Sequence, residues 1–398
     1  MSPSPPPSSS SSASTAEFDP DSVRESRVEA GIETVRAALA DRDAVAFVHA
    51  GADADAALFG CDAVVVTPTD ATGLVAADEA RAENGDGATS RDVDTSLVVR
   101  TVDDPAGAVA RVLDEHVAGA GGTVLAPRGV RHDAALFVER AGFEVASTTA
   151  LAEARAVKTP AERDALRGVG AATTAAADAV GTWLAGVDAD DSGDPDERDH
   201  DEGTDPDADA ERLGRVVAVE LARNGVEAGD IRVHGAPPFD PGRPVVVDCR
   251  PRGPAGSRLR AAWTAVVDGD GGWERRAHVA LRAAHRAGRG RVAAALDDGA
   301  ETAGSVAAEV RAELAAYGFE DGTVAVHGVG LDTHEAPRGD DSIEAGQALV
   351  VAASVTRAGD RTASATTRRD RVALAETLLV GEEVERLVAL PSSLSPSR

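Results

Sequence analysis

A helix-start signature at residues 157–163 divides this 398-residue chain into two parts with different patterns. The segment reads Val-Lys-Thr-Pro-Ala-Glu-Arg, with Thr159 suited to the N-cap, Pro160 to the first helical position and Glu162 to the third. This combination is a capping box, in which the Thr and Glu side chains each accept a hydrogen bond from the other residue's backbone N–H. We predict that a helix begins here, runs towards Leu184 and marks a domain boundary.

The part before this boundary alternates short apolar runs with helical patterns. We predict strands over residues 44–48, 63–67, 96–102, 123–126 and 143–147, and helices over 23–40, 53–59, 105–117 and 133–142. Such alternation is typical of a small α/β domain with a largely parallel sheet, here over residues 23–150. No glycine-rich phosphate loop interrupts it, so nucleotide binding is not indicated. The Ser/Pro-rich residues 1–22 are predicted to form a disordered tail.

The part after the boundary is richer in long helical patterns. We predict helices over residues 210–224, 273–289 and 301–317, and strands over 245–247, 262–267, 324–326, 348–353 and 372–380. Residues 188–209 are dominated by Asp, Glu and Gly, and we interpret them as an acidic surface insertion. His200 within that insertion is interpreted as solvated rather than as a metal ligand.

The chain is strongly acidic and almost free of lysine. Its 68 Asp and Glu against 40 Lys and Arg give a formal net charge of −28, and Lys158 is its only lysine. Abundant carboxylates keep a surface hydrated when salt screens their repulsion, so this composition favours a halophilic protein over an ordinary acidic one. No basic stripe offsets the acidic field, which argues against a nucleic-acid partner.

Several other classes are also disfavoured. No run of about 18 apolar residues predicts a membrane-spanning helix, and the N-terminus lacks the apolar core of a secretory signal. We therefore expect a cytoplasmic protein without a membrane partner. Cys61 and Cys249 are the only cysteines, too few for a disulfide framework or a cysteine-based zinc site.

Residues 327–335 carry the most specific motif of the chain. They read His-Gly-Val-Gly-Leu-Asp-Thr-His-Glu and are followed by Ala336 and Pro337. This stretch resembles the M24 metallopeptidases, which include the Xaa-Pro aminopeptidases and dipeptidases. The resemblance extends from about residue 158 to the C-terminus, outside the acidic insertion, and the preceding region resembles a creatinase-type N-terminal domain. It implies a pita-bread domain over residues 151–398, an α+β fold with a curved, mostly antiparallel sheet, and a possible homodimer.

The resemblance also implies a dinuclear metal site built from two Asp, one His and two Glu, which activates a bridging water. Asp248, His327 and Glu376 match three of the five ligand positions. Arg260 falls at the second Asp position and Ala352 at the first Glu position, where neither can bind a divalent ion. We therefore expect no metal or a weakly bound Mn, Co or Zn ion. We hypothesise that Arg260 instead pairs with Asp248 or Glu376.

Three functions remain open. The first is a peptidase relative with weak or absent aminopeptidase activity that binds a peptide or small molecule in its cleft, as some members of the family do. The second is a metal-independent, creatinase-like hydrolase that uses His327 with the candidate catalytic residues His334 and Glu335. The third is an active aminopeptidase with one metal held by Asp248, His327 and Glu376.

Overall fold

A computed structural model describes residues 19–77, 97–117, 121–190, 208–235, 242–299, 301–357 and 370–396. Most of the predicted tail and of the acidic insertion lies outside these ranges. The first helix already begins at Pro20, with Asp19 as its N-cap, so the predicted tail of residues 1–22 extends too far. None of the described helices is long and apolar enough to cross a membrane.

The N-terminal domain is an α/β unit around a six-stranded sheet of order β4-β3-β2-β1-β5-β6. Its strands are β1 Ala46–Ala50, β2 Ala63–Val66, β3 Ala71–Ala76, β4 Val98–Val102, β5 Thr123–Pro127 and β6 Glu144–Thr148. Its helices are α1 Pro20–Asp41, α2 Ala54–Phe59, α3 Pro105–His116, α4 His132–Arg140 and α5 Ala150–Ala156.

This sheet is mixed rather than largely parallel as predicted. The pairs β1–β5, β5–β6 and β3–β4 are parallel, but β1, β2 and β3 form an antiparallel meander. Strand β3 was not predicted. It follows β2 through a tight turn in which the Thr67 N–H donates to the Asp70 carbonyl at 2.8 Å, and this hairpin reverses the chain.

Helices cover both faces of the N-terminal sheet. Phe47 of β1 packs with Ile32 and Leu39 of α1, whereas the neighbouring Val48 packs with Val109 of α3 on the other side. Successive strand residues point to opposite faces, so a strand buried on both faces reads as the continuous apolar run seen here.

The C-terminal domain contains an open eight-stranded antiparallel sheet of order β11-β10-β12-β13-β9-β8-β7, with β14 paired to β13. Its strands are β7 Glu227–His234, β8 Pro244–Arg252, β9 Ala261–Val266, β10 Thr323–Gly328, β11 Glu335–Arg338, β12 Ala348–Thr356, β13 Arg371–Val380 and β14 Val384–Arg386. Its helices are α6 Pro160–Asp190, α7 Ala208–Arg223, α8 Trp273–Asp298 and α9 Ala303–Ala316. The predicted fold class is confirmed for both domains.

The predicted capping box is present at the start of α6. The Thr159 N–H donates to Glu162 Oε2 at 3.0 Å, and the Glu162 N–H donates to Thr159 Oγ1 at 3.2 Å. The helix continues past the predicted end at Leu184 to Asp190.

Helices pack on one face of the C-terminal sheet. Gly214 of α7 lies against Ile231, and Gly288 of α8 lies against Val351. Ile231 pairs with Cys249, and Val351 pairs with Glu376. Because paired residues of antiparallel strands share a face, these four residues define the helix-covered face, and their sequence neighbours point to the other side. We call that other side the open face.

Candidate functional site

Five paired residues form a row across the open face of the C-terminal sheet. The strand register joins Asp248 to Ala262, Ala262 to Ala375, Ala375 to Ala352 and Ala352 to Ala325. Two of the predicted site positions, Asp248 and Ala352, therefore lie on one face, and the row carries a single carboxylate with four methyl side chains.

Arg260 precedes strand β9 and pairs with Asp248, as hypothesised. Its Nε donates to Asp248 Oδ1 at 3.0 Å and its Nη2 donates to Asp248 Oδ2 at 2.7 Å, so both carboxylate oxygens are engaged. Thr377 fixes the backbone of Arg260, since its hydroxyl accepts from the Arg260 N–H and donates to the Arg260 carbonyl. A bidentate arginine–carboxylate pair of this kind is among the strongest hydrogen-bonded ion pairs in proteins.

Further arginines surround this carboxylate. Arg250 Nη2 lies 3.9 Å from Asp248 Oδ2, and Arg371 adds a further positive charge nearby. Burial alone would raise the pKa of Asp248, but the hydrogen bonds and charge of Arg260, with the charges of Arg250 and Arg371, hold that pKa below its ordinary value. Asp248 is therefore ionised at neutral pH, inside a positively charged environment.

Glu376 does not join this row. It follows Ala375 on β13 and points to the helix-covered face, where it accepts from Arg289 Nη1 at 2.5 Å and contacts His285 Nδ1 at 3.3 Å. Burial would raise the pKa of Glu376, yet the hydrogen bonds and charges of His285 and Arg289 lower it to about 2. The structure thus places Ala375, and not Glu376, beside Ala352 and Asp248 on the open face.

His327 lies on the open face, two residues beyond Ala325 on β10. Its Nδ1 lies 2.9 Å from the Gly328 carbonyl, which can only accept, so Nδ1 carries the proton and Nε2 has a lone pair. Burial is the main cause that lowers the pKa of His327, and the charges of His334, Arg260 and Arg250 lower it further. Nε2 is buried and has no hydrogen-bond partner among the described residues.

The two candidate catalytic residues have different surroundings. The exposed His334 stacks on His327, with ring centroids 4.2 Å apart. The buried Glu335 accepts from Lys158 Nζ at 2.8 Å and from the Asp332 N–H at 3.0 Å, and Arg155 Nη1 lies 3.7 Å away. The carboxylate of Glu335 is therefore already paired at the junction with the preceding domain, whereas the neighbouring His334 is exposed to solvent.

A cleft of about 120 Å³ opens next to this row. The charged residues among those that line it are Arg260 and Arg371, and the remaining lining side chains are hydroxyl or apolar. Within the described part of the chain, no three His, Cys, Asp or Glu residues form a group that could hold a metal ion.

Sequence reasoning missed Arg250, Arg371 and Ala375. Arg250 follows Asp248 by two residues on β8, and the two-residue period of a strand could have indicated that the two side chains share a face. Arg371 is far from Asp248 in the sequence, and no local spacing connects the two. Ala375 could be identified only from the pairing of β13 with β12 and β9, because the strand β13 is apolar on both faces and its sequence does not show which residues point into the cleft.

Known proteins with a similar fold contain both domains. Dipeptidase PepE from Mycobacterium ulcerans superposes with a TM-score of 0.67 at 21% identity, covering 95% of this chain and 98% of that one. The Xaa-Pro dipeptidase from Bacillus anthracis also has a TM-score of 0.67, at 15% identity over 92% of this chain and 99% of its own. The N-terminal domain of FACT complex subunit SPT16 from Cicer arietinum (chickpea) has a TM-score of 0.65 at 13% identity, covering 94% and 98%.

No curated protein matches the chain significantly. The model of metallopeptidase family M24 matches residues 218–382, a range that contains the whole row from Asp248 to Ala375 together with His327. Residues 218–382, which carry the candidate site, are therefore similar to metallopeptidase family M24.

Proposed function

We propose that this protein binds a peptide or small molecule in its M24 cleft without a dinuclear metal centre and with little or no aminopeptidase activity. The observation that carries the proposal is the bidentate ion pair between Arg260 and Asp248, which engages both oxygens of the only carboxylate in the row. Relatives of the same fold include named dipeptidases, but also a subunit of the FACT complex.

Electrostatics supports the absence of a metal pair. Two unit charges 4 Å apart interact by about 4 kcal/mol at an effective dielectric constant of about 20, so Arg260 would repel a neighbouring divalent ion by roughly twice that energy. Ala352 and Ala375 offer no donor atom to offset this repulsion. The residues of the row therefore do not fit a dinuclear site.

A single-metal aminopeptidase receives less support. The three residues implied for it are Asp248, His327 and Glu376, but Glu376 faces the helices and Asp248 is paired with Arg260. A metal held by His327 alone would lack the charge neutralisation that carboxylate ligands supply.

One observation favours a second candidate, a metal-independent hydrolase. His327 is a neutral imidazole with an unpartnered, buried Nε2, as required of a general base that takes a proton from a bound water or substrate. The exposed His334, which is stacked on it, would then contact the substrate. Hydrolysis of an Xaa-Pro dipeptide that resists a chelator and disappears in His327→Gln would favour this alternative.

We infer a cytoplasmic protein adapted to high salt, which its acidic composition supports, and a homodimer, which the family resemblance supports. Its net charge of −28 also supports a partner other than nucleic acid.

The first testable prediction concerns metal content. After incubation with Mn²⁺ or Co²⁺ in concentrated KCl and removal of free ions, the protein should retain much less than one metal per chain by elemental mass spectrometry. It should not hydrolyse an Xaa-Pro dipeptide in a metal-dependent manner. Stoichiometric metal together with turnover would overturn the proposal.

A restored variant gives the complementary measurement. The triple variant Arg260→Asp, Ala352→Glu and Ala375→Glu places three new carboxylates beside Asp248 on the open face. These carboxylates repel one another without a cation, so we expect a melting temperature below that of the parent that rises when Mn²⁺ is added. The parent protein is the control, and its melting temperature should not respond to Mn²⁺.

A further inference from the structure

The cleft on the open face has a charge opposite to that of the rest of the molecule. The chain carries 68 acidic against 40 basic residues, yet among the described residues that line this cleft the charged ones are Arg260 and Arg371, and none is a carboxylate. A described lining whose charged side chains are arginines, in so acidic a protein, favours an anion over a cation in this cleft.

Arg260 can still donate to a ligand. Asp248 uses the Nε and Nη2 atoms of its guanidinium, and Nη1 has no hydrogen-bond partner among the described residues. Because the pairing with Asp248 also fixes the orientation of the guanidinium, Arg260 presents a pre-organised donor and loses little conformational freedom when a ligand binds.

The walls of the cleft are small and apolar. Six alanines line it, and two hydroxyl groups in its lining, those of Thr323 and Ser354, hydrogen-bond to each other at 2.8 Å. The alanines are Ala262, Ala325, Ala352, Ala353, Ala373 and Ala375. An inorganic anion would lose hydration against such walls, whereas a carboxylate with a short hydrocarbon part would bury its methylene groups there.

The volume of the cleft limits the ligand. A volume of about 120 Å³ has room for several water-sized groups, and so for a small molecule rather than a folded peptide segment. We propose that the cleft binds a small organic acid, whose carboxylate contacts Arg260 and whose hydrocarbon part lies against the alanine side chains. This inference rests on the proposed absence of a metal centre and names the ligand class of that same site.

The test compares acids with their uncharged amides on the full chain in concentrated KCl. Isothermal titration calorimetry with acetate, propionate, propionamide and inorganic phosphate serves as the measurement. We expect propionate to bind about fourfold tighter than acetate, the factor for one buried methylene group. Propionate should also bind at least about tenfold tighter than propionamide, which lacks the charge.

Variants assign the binding to the cleft. The double variant Asp248→Asn and Arg260→Gln replaces the ion pair by two amides of similar shape, and it should weaken propionate binding at least about tenfold. Arg167→Gln is the matched control, since Arg167 is an exposed arginine paired with Glu385 on the helix side of the domain, and it should leave binding unchanged.

Three results would each overturn the inference: propionamide binding as tightly as propionate, phosphate binding tighter than propionate, or unchanged propionate affinity in the double variant. The comparison of propionate with propionamide uses the parent protein, so it stands even if the double variant does not fold. Failure of propionate to bind while the protein stays metal-free would reject this inference alone. Stoichiometric metal with turnover would reject the proposed function itself.

Discussion

Adjacent residues on strand β13 have opposite environments. Ala375 faces the cleft with Arg260, whereas Glu376 is buried against α8 between His285 and Arg289. His285 Nε2 also lies 3.1 Å from the Leu374 carbonyl, so this imidazole bridges the helix to the strand. Glu376 therefore links α8 to the sheet. Removal of one of its partners would leave a buried charge unpaired and would strongly destabilise the fold.

The pKa of Glu376 gives a prediction for acid unfolding. Its folded-state pKa of about 2 lies below its ordinary value of 4.5, so its contribution to stability is present above pH 4.5 and is lost as pH falls towards 2. A shift of this size corresponds to a contribution on the order of 3 kcal/mol. Denaturant unfolding of Glu376→Gln should therefore show a shallower loss of unfolding free energy between these pH values than the parent.

The control for this measurement is Glu382→Gln, which removes an exposed glutamate just beyond the same strand. Its pH dependence should match that of the parent. If Glu376→Gln and the parent lose unfolding free energy in parallel from pH 4.5 to 2, the charged network around Glu376 is not a source of acid sensitivity.

The contact between strands β10 and β11 depends on a single glycine. The register of this pair shifts between His327 and Gly328, and a Cβ added at Gly328 would overlap the Ala336 carbonyl. This close approach holds β10, which carries His327, against the segment that carries His334 and Glu335. The glycine-rich motif of residues 327–335 is thus required by the geometry of the two strands.

Gly328→Ala should accordingly separate β10 from β11. We expect a loss of about 1–3 kcal/mol or more in unfolding free energy because the backbone must move to accept the methyl group. The stacking of His327 on His334 should be lost with it, and both can be followed by urea unfolding and by NMR of the histidine ring protons.

Gly290→Ala is the matched control for this substitution. Gly290 lies in helix α8, and an added Cβ there meets no atom within 4 Å. Alanine should therefore raise the unfolding free energy by about 0.5–1 kcal/mol through its better helix propensity. Equal effects of the two substitutions would show that the steric account of Gly328 is incorrect.

The two domains are joined by buried ion pairs, in contrast to the acidic exterior. Arg27 of α1 donates to Glu162 at 2.7 Å and to the Ala255 carbonyl at 2.9 Å. The only lysine of the chain, Lys158, is buried against Glu335. Basic residues at these positions hold the N-terminal domain against the loop of the candidate site, while the surplus of acidic residues surrounds them.

The net charge predicts how the whole molecule responds to salt. The Debye length falls from about 10 Å near 0.1 M salt to about 3 Å near 1 M, so repulsion among the surface carboxylates is progressively screened. The melting temperature should therefore rise over this range of KCl, as measured by circular dichroism.

A charge-reduced variant separates screening from general salt effects. Glu25, Glu29 and Glu33 are exposed on α1 at four-residue spacing, where like charges repel. Their replacement by Gln should raise the melting temperature in low salt and reduce its dependence on KCl. A melting temperature that rises equally steeply in this variant would argue against charge repulsion as the cause.

Local signals were sufficient for much of the architecture. The capping box at Thr159, the apolar runs of both domains and the motif at residues 327–335 led to the two-domain fold, the start of α6 and the position of His327. The antiparallel meander at β3 was missed because a short strand that contains a glycine gives a weak local pattern. A parallel or antiparallel arrangement is in any case decided by contacts between distant segments.

The composition and motifs alone were enough to determine an acidic, M24-like chain, and they predicted Arg260 at a position where the resemblance implies a carboxylate. Only the tertiary structure decided that Arg260 forms a bidentate ion pair with Asp248, that Ala375 rather than Glu376 faces the cleft, and that Arg371 lines the same cleft. The physical reason is the two-residue period of a strand. A shift of one residue exchanges its faces, and the register that fixes them comes from pairing with strands far away in the sequence.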